Sequence, residues 1–160
     1  MLTSCGGGES NEEVTPQPVP IPQPTPEPEP TPALPSKNES ARFLNTASFG
    51  ANVSSIDNVI SIGFEEWLDQ QISLPVSSHV AYLQALEPTL NLAEEEELRR
   101  RERLETWFTL SITAPDQLRQ RVAFALSEIF VVSEHSTFGD DTYGLANYYD
   151  LLLNNAFGNY

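Results

Sequence analysis

Proline is confined almost entirely to one stretch near the amino terminus, and this limits where the chain can fold. Ten of its thirteen prolines lie between Pro16 and Pro35, whereas every aromatic residue lies at Phe43 or later. Proline has no amide hydrogen and a fixed φ angle, so the stretch favours extended polyproline II over helix or strand. We therefore predict a disordered, acidic, proline-rich linker over residues 6–38 and a folded domain over residues 39–160.

The chain has one cysteine, Cys5, which excludes an internal disulfide. A leucine, a threonine and a serine precede it and three glycines follow it, which resembles the lipobox of bacterial lipoproteins. The resemblance implies that residues 1–5 are the end of a truncated signal peptide and that Cys5 carries a lipid anchor. Gly6 after the cysteine favours the outer membrane in a bacterium with two membranes. The alternative is a cytosolic protein that begins at Met1 and keeps an unmodified thiol.

The chain is strongly acidic, with 23 acidic and eight basic residues and a formal net charge of −15. Such a chain repels the phosphates of nucleic acids and of anionic lipid headgroups. We therefore expect no nucleic-acid partner, and we expect membrane attachment through the lipid at Cys5.

Apolar residues recur at helical spacing throughout residues 39–160, which predicts an all-α domain of about six helices, with an orthogonal or bundle-like arrangement. The first helix is expected from Glu39. The second is expected from Ser55, with Ser54 as its N-cap.

Two later helices carry further predictions. A long helix is expected from Leu92 to Thr113, with glutamate–arginine pairs on a solvated first half and an apolar, docked second half. The docked face comprises Leu104, Trp107, Phe108 and Ile112. A helix that opens at Pro115 is expected to be central, because it is apolar around most of its circumference. Its main apolar face comprises Leu118, Val122, Ala125, Leu126, Ile129 and Val132.

Four segments of the domain are typical of one bacterial family. They are ARFLNTASFG at Ala41, GFEEWLDQQI at Gly63, LRQRVAFALSEIFVVS at Leu118 and YYDLLLNNAFGNY at Tyr148. In this order they resemble the opening of the family known as domain of unknown function 1800. The resemblance implies an exported protein, longer than this chain, with no established activity. Such proteins are often encoded beside an exported sulfatase-like protein, which the resemblance makes a candidate partner.

The candidate site residues are two arginines in the central helix, Arg119 and Arg121, together with two carboxylates. A charge near a core normally has a partner or faces a cavity. Glu128 lies two turns after Arg121 on the same side, and Asp150 in the last helix is a further candidate partner. We favour a structural arginine–carboxylate bridge; the alternative is an anion-binding pocket open to substrate.

Neither histidine lies in a catalytic pattern. His79 and His135 are interpreted as surface residues at helix ends, and no spacing predicts a zinc site. Asp140 and Asp141 lie in a polar loop that lacks the alternating ligands of a calcium loop, so we interpret them as loop and capping residues. The sequence predicts no metal, no cofactor and no catalytic residue.

Two functions remain open from sequence. One is a lipid-anchored envelope protein whose helical domain binds an exported partner. The other is an enzyme that acts on an envelope or extracellular polymer, with its catalytic residues mostly beyond Tyr160.

Overall fold

The computed structural model describes residues 34–90, 98–133 and 141–158. Within these ranges the chain forms seven α-helices and one 3-10 turn and has no strand, which confirms the all-α prediction. The helices are α1 (Lys37–Ala47), α2 (Val53–Ile62), α3 (Phe64–Ser73), α4 (His79–Leu86), α5 (Arg100–Thr113), α6 (Gln117–Ser127) and α7 (Thr142–Asn155), with the turn at Glu87–Thr89.

Several sequence predictions fall outside the described residues. These are the lipid site Cys5, most of the linker, the glutamates at 95–97, His135 and Asp140. None of the helices in the described ranges is long and apolar enough to span a bilayer.

The first two helices begin earlier than the sequence predicts, because their caps lie earlier. Helix α1 is closed by a capping box, in which the Ser36 amide donates to the Glu39 carboxylate at 2.9 Å. Helix α2 is capped by Asn52, whose side chain accepts from the Ser55 amide at 2.8 Å. The predicted cap Ser54 is therefore wrong.

Helices α1 to α3 share one apolar core. Leu44, Ile56, Val59 and Trp67 are its buried residues. The ring of Phe43 packs at 4.6 Å from Phe64 and at 5.1 Å from Trp67, measured between centroids. The turn between α2 and α3 is made by Gly63, whose φ of 84° favours glycine.

Helix α7 joins two further apolar clusters. Ala123 and Leu126 of α6 pack against Leu152 and Leu153 of α7. On another side of α7, Ala146 packs against Leu83 of α4 and against Leu98, which precedes α5. These contacts place α7 beside both α4 and α6.

The predicted long helix is wrong at its start and in its docked face. Arg99 is extended, and α5 begins at Arg100. Its buried residues are Thr106, Leu110 and Ser111. Phe108 and Ile112, which we expected to dock, are 59% and 75% exposed.

Helix α6 is central, but only part of the predicted apolar face is buried: Leu126 is in the core, and Leu118 and Val122 are half-buried. Its buried residues are Arg119, Gln120, Ala123 and Leu126. Of the predicted apolar face, Ala125, Ile129 and Val132 are exposed. The helix begins at Gln117 rather than at Pro115 and ends at Ser127.

Candidate functional site

Arg119 forms hydrogen bonds with the C-terminal ends of two helices. It is 8% exposed. Its Nη2 donates to the carbonyls of Ile72 and Leu74 at 3.2 and 3.3 Å, and its Nη1 donates to the Leu153 carbonyl at 3.3 Å. These carbonyls lie at the C-terminal ends of α3 and α7, where a helix leaves its last acceptors unpaired and carries partial negative charge. A buried cation therefore satisfies both helix ends.

Asp116 is the carboxylate nearest to this arginine. Its Oδ2 lies 3.8 Å from Nε of Arg119 and accepts from the Ser77 amide at 3.0 Å. Asp116 is fully buried, and its Oδ1 has no hydrogen-bond partner among the described residues. Arg119 thus pairs with a carboxylate of its own helix rather than with Asp150.

Asp150 instead caps helix α4. Its Oδ1 accepts from the His79 amide at 2.7 Å, and its Oδ2 accepts from the Val80 amide at 3.2 Å and from the Ser78 hydroxyl at 2.5 Å. Amides at a helix N-terminus lack acceptors within the helix, and the dipole there favours negative charge. A carboxylate from α7 therefore supplies what the start of α4 lacks.

Gln120 and His79 fill the space between these two caps. Gln120 donates from Nε2 to the Ser77 carbonyl at 3.1 Å, and its Oε1 lies 3.4 Å from Nε2 of His79. The imidazole stacks on Tyr149 with centroids 4.5 Å apart. His79 is 2% exposed, so its interpretation as a surface residue is wrong. We call Asp116, Arg119, Gln120, His79 and Asp150 the polar junction.

Burial dominates the protonation of this region. It lowers the pKa of His79, although Gln120, Asp150 and Asp116 act in the opposite direction and Arg103 adds to the lowering. It raises the pKa of Tyr149 to about 12. The imidazole of His79 and the phenol of the adjacent Tyr149 are therefore both neutral at pH 7.

Ser78, His79 and Asp150 meet at the junction, but they do not form a catalytic triad. The serine hydroxyl donates to the aspartate instead of to the imidazole, and it also accepts from the Ala81 amide at 3.0 Å as the cap of α4. The imidazole faces Gln120. A triad requires the histidine to lie between nucleophile and acid, so this arrangement is structural.

Arg121 lies on the opposite side of α6 from Arg119. Its guanidinium carbon is 5.5 Å from the ring centroids of both Phe49 and Phe124. Those two rings and Trp107 lie within 5.7 Å of each other. No described carboxylate lies within ion-pairing distance of Arg121, so cation–π contact is what holds this side chain.

Arg121 and Glu128 both line an open groove along α6, which we call the α6 groove. Its volume is about 570 Å³. The other lining residues are Thr46, Leu118, Val122, Phe124, Ala125, Leu126 and Ile129. Five of them, at positions 118, 122, 125, 126 and 129, belong to the apolar face that the sequence predicts for this helix. In the described part of the chain, no group of histidines and acidic residues is arranged to hold a metal ion.

Sequence reasoning missed Gln71, Asp116 and Gln120. Gln71 clamps the start of α6, because its Nε2 donates to the Pro115 carbonyl and its Oε1 accepts from the Leu118 amide, both at 3.1 Å. The available signal was the pair of polar residues Arg119 and Gln120 at adjacent positions of a helix predicted to be central. Polar side chains on a buried helix face need hydrogen-bond partners, and the unpaired groups at the ends of neighbouring helices can supply them.

The comparisons with known proteins identify a family. The sequence profile of DUF1800, a family of proteins of unknown function, matches residues 42–160 and confirms the resemblance seen in the four segments. No curated protein and no solved structure matches the chain.

Proposed function

Because the chain belongs to the DUF1800 family, we propose that it is an exported, lipid-anchored protein of the cell envelope whose helical domain binds an exported partner protein. The family carries no assigned activity, so the proposal depends on two features of this chain. One is the setting of Cys5, and the other is the outward face of helix α5.

The anchor is supported by the small residues before Cys5 and by the glycines and prolines after it. A lipid on this cysteine, followed by a long spacer, would hold the helical domain away from the membrane. Stable attachment needs more than one acyl chain, which a triacylated cysteine provides. The location that follows is the outer membrane, with the domain facing the periplasm or the cell surface.

Metabolic labelling with palmitate tests the anchor directly. The full-length protein, expressed with its native upstream codons, should incorporate label and sediment with membranes. Cys5→Ala should lose both properties, whereas Ser4→Ala should keep them. Equal labelling of the wild type and Cys5→Ala would contradict the anchor.

The observation that carries partner binding is the apolar outward face of α5. The helix packs inward through Thr106, Leu110 and Ser111, while Phe108 and Ile112 point outward, 59% and 75% exposed. The two side chains lie four residues apart and are therefore neighbours on one face of the helix. Large apolar side chains grouped on a surface are typical of protein–protein contacts.

The candidate partner is the exported sulfatase-like protein that the family resemblance implies. The purified full-length chain should retain this protein in a pull-down, and Phe108→Ser combined with Ile112→Ser should lower the affinity at least tenfold. Glu105→Ser is the matched control, since it lies one turn earlier on the same exposed face. Retention that is unaffected by the double substitution would remove α5 from the proposal, and no retention by the wild type would remove this partner.

The alternative function, an enzyme acting on an envelope polymer, lacks a supporting observation within the described residues. Arg121, the residue that the alternative assigned to an anionic group, packs on two aromatic rings. Arg119 is occupied by three carbonyls.

A further inference from the structure

The outward face of α6 has the spacing of a coiled-coil seam. Leu118, Val122 and Ala125 of α6 and Ile129 in the turn that follows it recur at intervals of four, three and four residues. This is the interval of the two apolar positions of a heptad repeat, the spacing with which one helix packs against another. Leu118 and Val122 are half-buried, Ala125 is exposed and Ile129 is 71% exposed. All four line the open groove, Leu118 and Val122 with the part of each side chain that is not packed against the core.

Two opposite charges flank one edge of this seam. Arg121 and Glu128 each precede a seam residue and are seven residues apart, about 10 Å along a helix axis. In a heptad these are the flanking positions whose charges select the partner helix and its direction. Arg121 is held over the rings of Phe49 and Phe124, and Glu128 is exposed. Within the described residues neither side chain forms an ion pair.

We propose that the occupant of the α6 groove is the same helix of a second copy of this chain, running antiparallel across a two-fold axis. Reversal of direction brings Arg121 of each copy opposite Glu128 of the other, so the interface forms two equivalent ion pairs. The seam is also self-complementary, because the 4–3–4 spacing reads the same in both directions. A two-fold contact is the commonest arrangement of homo-oligomers.

A parallel pairing of the two helices would not use these charges. In a parallel pair, the residues that flank one edge of the seam lie opposite those that flank the other edge of the partner's seam. Arg121 and Glu128 would then lie opposite the partner's Arg119 and Leu126. Both are buried within their own copy, with Arg119 already bonded to three carbonyls. Only the antiparallel direction gives Arg121 and Glu128 ionic partners.

The seam is short, so the dimer is weak. It spans about three helical turns, which buries less than the roughly 1,000 Å² of a stable interface. Exposed ion pairs each contribute about 0.2–1 kcal/mol. We expect a dissociation constant of about 10 µM to 1 mM, because small interfaces of this kind are weak. Because each copy carries a net charge of −15, the test is best made at about 0.15 M salt, where charges more than about 8 Å apart are screened.

Charge reversal tests the dimer with the full-length chain in sedimentation equilibrium. The wild type should show concentration-dependent dimers between about 10 µM and 1 mM. Arg121→Glu alone and Glu128→Arg alone should each weaken self-association at least tenfold, because each places like charges opposite each other. An equimolar mixture of the two single variants should regain dimers, as should the double variant.

Dimers in the mixture would show that the single variants are folded, because a misfolded chain would not regain association when mixed with another variant. The loss of self-association in each single variant is then due to the like charges. Ala125→Glu, at an exposed position in the seam, should give monomers with an unchanged circular dichroism spectrum and unfolding midpoint. A wild type that stays monomeric at 1 mM would overturn the proposal. So would dimers that are indifferent to charge reversal, or single variants that stay monomeric when mixed.

Discussion

At the scale of single residues, two arginines that are neighbours in sequence have separate roles. Arg119 is buried and satisfies carbonyls at the ends of two helices, whereas Arg121 is half-buried on the other side of α6 and packs on aromatic rings. Residues two positions apart on a helix point about 200° apart, so one faces the interior when the other faces outward. The two arginines, although they are the same residue type in the same helix, therefore stabilise different parts of the fold.

Substitution of these two arginines by methionine should separate the roles. Arg119→Met should lower the free energy of unfolding by about 3 kcal/mol, because it leaves three carbonyls and the Asp116 carboxylate without their buried cation. Arg121→Met should lower it by about 1 kcal/mol or less, the usual strength of an exposed cation–π contact. Urea unfolding followed by circular dichroism measures both, and equal losses would contradict this assignment.

The buried imidazole makes stability depend on pH. His79 has a lowered pKa in the folded chain, whereas in the unfolded chain the pKa is near 6.5. Below that value the unfolded chain binds a proton that the folded chain does not. The contribution of the neutral His79 to the free energy of unfolding is therefore complete above about pH 7 and is lost as the pH falls toward 5. The free energy of unfolding changes by at most about 1.4 kcal/mol per pH unit from this group.

Unfolding midpoints measured in urea between about pH 5 and pH 7.5 test this dependence. His79→Gln should flatten the profile in this window. A profile as steep in His79→Gln as in the wild type would contradict the assignment to His79.

At the scale of helices, the polar junction and the neighbouring Gln71 satisfy helix ends through tertiary contacts. Arg119 satisfies the C-terminal ends of α3 and α7, Asp150 the N-terminal end of α4, and Gln71 the N-terminal end of α6. The charged caps also complement the helix dipoles. The buried face of α6 therefore includes polar Arg119 and Gln120 beside Ala123 and Leu126, and Ala125 and Ile129 are left exposed.

Local caps should contribute less than these tertiary ones. Asn52→Ala should lower the free energy of unfolding by about 1 kcal/mol, because it removes the acceptor for the Ser55 amide. Ser54→Ala should change it by a few tenths of a kcal/mol, since Ser54 is an exposed residue within α2. Thermal unfolding of both variants decides between the two caps, and a larger loss for Ser54→Ala would restore the cap expected from sequence.

At the scale of the whole molecule, three of the four family segments meet around the buried face of α6, and the fourth packs on its other side. The segment at Gly63 contributes Gln71, the segment at Leu118 contributes Arg119 and Gln120, and the segment at Tyr148 contributes Asp150. The segment at Ala41 contributes Phe49, which contacts Arg121. Each of the four segments therefore contributes at least one side chain that holds helices together.

The charge of the whole molecule predicts its behaviour toward nucleic acids. With a net charge of −15, the chain should not retard a DNA duplex in a gel at about 50 mM salt, where electrostatic attraction is strongest. A basic protein of similar mass serves as the positive control. A complex that dissociates as salt is raised would show a basic surface that the sequence does not predict.

The sequence alone determined where the chain folds and in which class. Prolines without amide hydrogens confine helices to the region after the linker, and apolar residues at helical spacing made the domain all-α. Both are properties of neighbouring residues, so they can be read without a structure. The helix starts were less accurate, because adjacent polar residues such as Asn52 and Ser54 compete for the same capping role.

Only the tertiary structure decided which face of each helix is buried. Periodicity shows that α6 has an apolar face but does not show that the ends of α3, α4 and α7 would meet on its other side. Those ends carry unpaired carbonyls and amides that must be satisfied when buried. Arg119, Gln120 and Asp150 turn inward to satisfy them, and Leu118, Val122, Ala125 and Ile129 are thereby left to line a groove.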